Sequence, residues 1–332
     1  MKKLFFSLVA ATMATTATFA QNTLVATLSH DENVTMYYGA YALRDAYNAA
    51  VSGDVINLSG GAFQSVDIKK ALTLRGSGID AQDPTIIVND FTFDIPNTDT
   101  GRMSMEGIRC ANMVSLKSTL TNALFLKCMF NQMQEYYSEK ITAIFADCKV
   151  TGNFYLNGDC SIQFINSLVN NFENSSSYNS TASFLNCIVS PAYGQPYRIQ
   201  KSQLKNCIIH STDPDDWDSL PRSSVASNCV AIGYDYDDFF EDSPASTGCK
   251  TSSYAEMFKT FTGTYSDTET FELTDAAKTE ILGTDGKEVG MYGGVLPYTS
   301  TPSYPQITKM NVANKTTADG KLSVEIEVSA AQ

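Results

Sequence analysis

Histidine is nearly missing from this chain of 332 residues, with two in all, and tryptophan occurs once. His30 and His210 stand apart from any Ser, Cys or Asp frame, so a nucleophilic triad has no support. No Cys-x-x-Cys pair and no histidine accompanies the eight cysteines, which removes the usual basis for a zinc centre. Positive charge is also scarce, with 23 Lys and Arg against 36 Asp and Glu. The resulting net charge of −13 argues against nucleic acid, whose phosphates need a basic face. It also disfavours an anionic polysaccharide as partner unless cations bridge the two. Its plainer role is to keep the chain soluble.

Long apolar runs are absent beyond the N-terminus, so no membrane span is expected. The exception is Leu4 to Ala11, which follows Lys2 and Lys3 and precedes small residues ending in Thr18-Phe19-Ala20. Residues 1–20 are therefore predicted to be a signal peptide cleaved after Ala20, placing the mature chain in the periplasm or outside the cell. Loss of its two lysines takes the net charge to −15. No cysteine follows that site, so no lipid anchor is expected.

What the sequence has in abundance is one phrase, Phe-x-Asn-Cys-x-Val. It appears as Phe125–Phe130, Phe145–Val150, Phe164–Val169 (with Ser167 for Cys), Phe184–Val189 and Leu204–Ile209, with fainter copies at Ile108-Arg-Cys110 and Ser227-Asn-Cys229. The steps from one Cys or Ser to the next are 18, 20, 19, 20, 20 and 22 residues. A period near twenty that tolerates insertions marks a solenoid. The unit is rich in Phe, Ile, Val and Cys and bounded by Asn, Gly and Ser, so it reads as strands.

Phe and Cys are three apart and would face opposite ways in one unbroken strand. A bend must lie between them, at Asn166, Asn186, Asn206, Asn228 or Asp147, residue types that tolerate the left-handed conformation. Each coil is then strand, bend, strand, loop and third strand, the last exemplified by Phe154-Tyr155-Leu156 and Tyr197-Arg198-Ile199. Coils stacked at about 4.8 Å place like on like. Cys110, Cys128, Cys148, Cys187, Cys207, Cys229 and Cys249 are assigned one slot and expected to form a ladder of buried free thiols, since their parallel side chains suit disulfides poorly. Cys160 stands outside it. A leucine-rich horseshoe shares the period, but its Leu-x-x-Leu-x-Leu frame is missing. The fold class is all-β, a parallel β-helix.

Leu43, Ala46, Tyr47, Ala50 and Val51 make one apolar helical stripe, ended by Ser52-Gly53. Val55–Leu58 and Ala71–Arg75 read as strands. The run Leu43-Arg-Asp-Ala-Tyr-Asn-Ala-Ala, then Gly53-Asp54, Ile56-x-Leu58, Gly61-Ala-Phe63 and Leu72-Thr-Leu-Arg-Gly76, resembles the opening of pectate-lyase-like right-handed β-helix proteins. The resemblance covers roughly residues 40 to 235 and is similar to secreted bacterial members described as adhesin-like or uncharacterised. It implies right-handed coiling and a helix that caps the barrel. Lyases of this type use calcium-binding carboxylates and a basic residue on one outer face. Polygalacturonase-like relatives use paired aspartates with a His and an Arg-Ile-Lys, of which Asn97-Thr-Asp99, Asp215-Asp216 and Arg198-Ile-Gln-Lys201 are fragments in the wrong order, without a Gly-His-Gly. A shared fold does not carry one activity.

Candidate ligand-binding positions follow from alternation along the third strand, which turns Ser115, Tyr155 and Arg198 outward. Trp217 among Asp213, Asp215, Asp216 and Asp218 could stack on a sugar or bind calcium, although a solvated loop is the plainer reading. Asp235, Asp237, Asp238, Glu241 and Asp242 are read the same way. No catalytic, cofactor or metal residue is assigned, and calcium is the one cofactor left open. The organisation expected is a β-helix over 21–297, then a Pro/Ser/Thr-rich linker or arm and a β-hairpin over 298–332, with strands at Ile307–Val312 and Leu322–Val328 that dock on the solenoid end or on another chain. The leading function is a non-enzymatic protein binding a polysaccharide or cell-surface partner. The alternative is a polysaccharide lyase or glycoside hydrolase. A structural role, with the hairpin mediating assembly, is a third. Oligomeric state is left open.

Overall fold

A computed structural model describes residues 24–117, 120–135, 140–174, 179–211, 219–234, 239–240, 243, 246–312, 315–317, 319–321 and 323–329. The predicted signal peptide, residues 1–20, therefore lies outside the described residues. The chain winds into a parallel β-solenoid. One eleven-stranded sheet opens with the antiparallel hairpin Val25–His30 and Asn33–Tyr38 and continues in parallel from Val55–Leu58 to Val225–Ser227. A twelve-stranded sheet runs from Gly61–Gln64 to Lys250–Ser252. A third flank is built from Phe91–Asp94, the later halves of Ile108–Lys117, Met129–Glu135 and Leu168–Asn174, and Phe154–Leu156.

Register sets like on like. Phe125, Phe145, Phe164 and Phe184 are successive partners in the first sheet, with ring centroids 4.7, 5.1 and 5.0 Å apart and nearly parallel planes. The bend is where the repeat demanded it. Lys127, Asp147, Asn166, Asn186, Asn206 and Asn228 all have φ between 47° and 55°. Gly107 and Gly248 take the same place in the flanking coils. Lys127 is the unexpected occupant. It is buried, and its ammonium donates to Thr301 O at 2.6 Å.

The cysteine slot needs one correction. Met129 pairs with Arg109 and Phe130 with Cys110, so the neighbour of Cys128 in the preceding coil is Ile108. Cys110 instead joins the row of Phe130, Val150 and Val169 two residues further on. The remaining ladder runs Cys128, Cys148, Ser167, Cys187, Cys207, Cys229, Cys249 in register. All eight cysteines are free, and only Cys249 is not buried.

The capping helix is Ala42–Ala49, with Leu43, Ala46, Tyr47 and Ala50 buried in the solenoid core. Val51 is exposed rather than part of the stripe, because the helix has already ended. Lys70 Nζ donates to the carbonyls of Tyr47 and Ala50 at 2.9 and 2.8 Å, satisfying the helix C-terminus.

A second apolar cluster lies outside the barrel. Leu168, Ile188, Ile208 and Val230 point outward from the second sheet and are buried beneath Met257, Phe258, Phe261, Phe271, Leu273, Val289 and Met291. Part of this cover is the short helix Tyr254–Met257, whose N-terminus is closed by a capping box between Ser253 and Glu256. From Leu282 the chain returns along the line of bends as a strap. Asn228 Nδ2 donates to Leu282 O (3.4 Å), Asn206 Oδ1 accepts from Thr284 N–H (2.9 Å), and Asn166 Nδ2 donates to Met291 O and Gly293 O (2.9 and 2.8 Å). The contacts continue past residue 297: Ser303 N–H donates to Glu106, and the Tyr304 hydroxyl to Gly76 O. The terminal hairpin pairs Gln306–Val312 with Val324–Ser329 antiparallel.

Candidate functional site

The third flank carries an open concave surface that bears two of the predicted site residues. Its scaffold is a register line in which Gln134, Tyr155 and Glu173 stand side by side on neighbouring coils. Tyr155 sits in Phe154–Leu156, whose Phe154 and Leu156 face the core, so alternation turns the phenol outward as expected. Beyond Glu173 the ladder is interrupted by Pro191-Ala-Tyr-Gly-Gln-Pro196, which cannot continue as a paired strand.

That interruption builds the far wall. Ala192–Gly194 and Pro196–Arg198 form two short 3-10 turns. Tyr197 and Arg198 therefore lie in a turn and not in the strand expected for them. Proline at 196 starts the second turn, and only Ile199 bridges the neighbouring coil, at Asn174. The loop is pinned by fixed contacts. Asn174 Oδ1 accepts from Gln200 N–H at 2.6 Å, Tyr234 OH donates to Gly194 O at 2.8 Å, and Ile199 is fully buried.

Within this frame Tyr193 adopts φ +56° and is 69% exposed. A bulky residue in the left-handed region is uncommon and costs on the order of 1 kcal/mol or more. The Arg198 guanidinium lies 5.5 Å from the Tyr193 ring centroid and 5.0 Å from that of Tyr197. Its Nη1 is 2.6 Å from Glu173 Oε1, and its Nε donates to Gln195 Oε1 at 3.2 Å. Burial alone would lower the Arg198 pKa, but the Glu173 carboxylate outweighs it and raises the pKa. Burial, then the hydrogen bond to Tyr193, pushes the Tyr155 phenol up to about 12, so it stays a neutral hydroxyl. Tyr155, Asn157, Glu173, Tyr193, Gln195 and Arg198 together line an open groove of about 560 Å³.

Of the residues singled out for ligand binding, Tyr155 and Arg198 are thus brought to one groove. Trp217 and Asp215 lie outside the described residues, as do Asp213, Asp216 and Asp218 and the acidic residues of 235–238 and 241–242. Ser115 is buried, because its small side chain sits between Thr92 and Gln134 on the adjacent coils, and it offers no ligand contact. Glu173, Tyr193 and Gln195 were not singled out from sequence. The departure of 190–198 from the repeat was the available signal for the last two.

The two histidines are structural. His30 Nδ1 is 2.7 Å from Asp54 Oδ1, which ties the opening hairpin to the turn after the capping helix, where Asp54 Oδ2 accepts from Val51 N–H at 2.8 Å. His210 is buried beneath the outer cluster with Nδ1 3.1 Å from Tyr254 OH, and burial lowers its pKa to about 4. Among the described residues no group of three or more His, Cys, Asp or Glu is placed to hold a metal ion, and no helix is long and apolar enough to cross a membrane. No family model, curated protein or solved structure matches the chain.

Proposed function

We propose that this chain is an exported member of the pectate-lyase-like β-helix proteins that binds a glycan in the groove at Tyr155, Tyr193 and Arg198 without cleaving it. The observation that carries this reading is Tyr193, a mostly exposed ring held at a left-handed φ beside an ion-paired guanidinium. Backbone strain at such a residue persists only where the surroundings hold it, and such positions concentrate at ligand sites. A fixed aromatic face suits the C–H face of a sugar ring. The polar atoms of Asn157, Gln195 and Glu173 suit its hydroxyls.

The alternative of a lyase or hydrolase is less well supported. Glycoside hydrolysis needs two carboxyl groups facing one bond, a general acid and a base or nucleophile. Among the described residues lining the groove, Glu173 is the only carboxylate, and Arg198 neutralises it. Export rests on the leader-like segment at residues 1–20.

The test is a polysaccharide panel, with and without calcium, read for protein retention, new reducing ends and unsaturated products. The expected result is retention without new chain ends, and Tyr193→Ala weakening it roughly tenfold, the scale of losing one aromatic contact. Chain cleavage by the wild-type protein would replace this reading with the enzymatic one.

A further inference from the structure

We infer that the groove selects uncharged sugars, and that Glu173 is the residue that excludes uronates and other carboxylated ones. This deepens the glycan-binding reading above and rests on it. Sugar-binding grooves that accept acidic units need a cation whose charge is not already offset. Here Arg198 is the only cation among the described lining residues. Two of its donors are engaged, Nη1 to Glu173 Oε1 at 2.6 Å and Nε to Gln195 Oε1 at 3.2 Å, the Glu173 carboxylate offsets its charge, and the rings of Tyr193 and Tyr197 lie against the guanidinium.

Glu173 is not free to withdraw. It belongs to Leu168–Asn174 and pairs in register with Tyr155, so its backbone is fixed by the neighbouring coil. The Tyr155 phenol stands beside it on the groove wall. An incoming carboxylate drawn to the guanidinium would come within a few ångströms of the Glu173 carboxylate already paired with it, and two like charges at that separation repel. The chain's charge of −13 adds repulsion from a distance. A hydroxyl meets none of this. It can donate to Glu173 or hydrogen-bond to the Asn157 amide without separating the Arg198 pair. The ion pair therefore acts as a filter, holding the guanidinium as a surface for ring packing while denying it to anions.

The experiment compares each glycan with its own acidic counterpart. Wild-type protein is run through affinity gels containing a β-glucan, a mannan or a galactan, and then through the same polymers after oxidation of C6 to the carboxylate. A chelator is present throughout, so that divalent ions cannot bridge the charges. The expected result is retention on at least one neutral polymer and at least tenfold weaker retention on its oxidised form. Glu173→Gln, which keeps the size of the side chain and frees Arg198, is expected to raise retention on the oxidised form at least tenfold, in a manner that added salt abolishes. Equal or stronger retention of wild-type protein on an oxidised polymer would overturn the filter and leave glycan binding standing. Absence of retention on every polymer, neutral and oxidised, would instead overturn glycan binding itself. The wild-type comparison decides the matter even if Glu173→Gln fails to fold, which its far-ultraviolet circular dichroism would reveal.

Discussion

At the scale of single residues, the position that organises each coil is the bend, and its chemistry was legible in the sequence. Asn recurs there because its short polar side chain tolerates a positive φ. Lys127 was not legible as a bend residue, since lysine has no such preference. It is held by Thr301, nearly 175 positions later in the chain. Asp147 shows what the slot costs a charged occupant. Burial pushes its carboxyl up to about 6, a rise that Lys127 and the Thr299 N–H only partly oppose. A carboxyl whose folded pKa is raised favours folding while protonated, and that advantage is lost as pH rises from about 4 through 6. Asp147→Asn keeps the bend and removes the charge. Urea denaturation should therefore find the variant more stable than wild type at pH 8, on the order of 1 kcal/mol after allowing for partial exposure, with the difference vanishing near pH 4. Equal stability at both pH values would show that the carboxylate is hydrated where it stands.

At the scale of one element, the thiol ladder explains why Cys and Ser share a slot. Each side chain donates to the carbonyl two residues back, Cys148 to Ala146 O (3.3 Å), Ser167 to Ile165 O (2.7 Å) and Cys187 to Leu185 O (3.3 Å). Ser167, Cys207 and Cys229 also accept from the preceding coil: Cys148 N–H donates to Ser167 Oγ, Cys187 N–H to Cys207 Sγ and Cys207 N–H to Cys229 Sγ. A small side chain with one donor and one acceptor satisfies the backbone at the bend, and valine of equal size would not. Placing Cys110 in this ladder failed because its short step of 18 residues was read as variation in the period. It was in fact a two-residue offset, with Gly107 at the bend and Ile108 in the slot. Burial pushes the Cys110, Cys148, Cys207 and Cys229 thiols well up and holds them unreactive. Thiol titration without reductant should find Cys249 alone accessible in the native protein and nearly all eight cysteines in denaturant. A count of about two in denaturant would mean that the ladder is oxidised into disulfides despite its geometry. The groove was less legible than the ladders. Alternation found Tyr155, but Arg198 reaches the same site through a proline-bounded turn that no period describes.

At the scale of the whole molecule, the strap changes how the solenoid holds together. In a simple solenoid each coil touches only its neighbours, so stability is nearly a sum of local terms. Here residues 282–304 reach from the coil of Asn228 back to that of Gly76. The outward apolar row of Leu168, Ile188, Ile208 and Val230 is the surface on which its first part and the residues before it close. That row occupies the variable position of Cys-x-Val, which strand alternation assigns to solvent, and the residues that cover it lie far along the chain. Ile208 is the sharpest test, since it is fully buried and its Cδ1 lies against Gly290. Ile208→Asp places a charge under the strap and should cost roughly 3 kcal/mol or more. If the coils carry their own stability, trypsin should cut the variant at Lys287 much faster than wild type while the β-sheet circular dichroism persists. If sheet signal and protease resistance disappear together, the strap is required for the coils themselves. Contacts that must wait for distant coils to form are costly in loop entropy and form late. An undocked strap with folded coils is therefore the intermediate that this topology favours, and the variant should hold the molecule there.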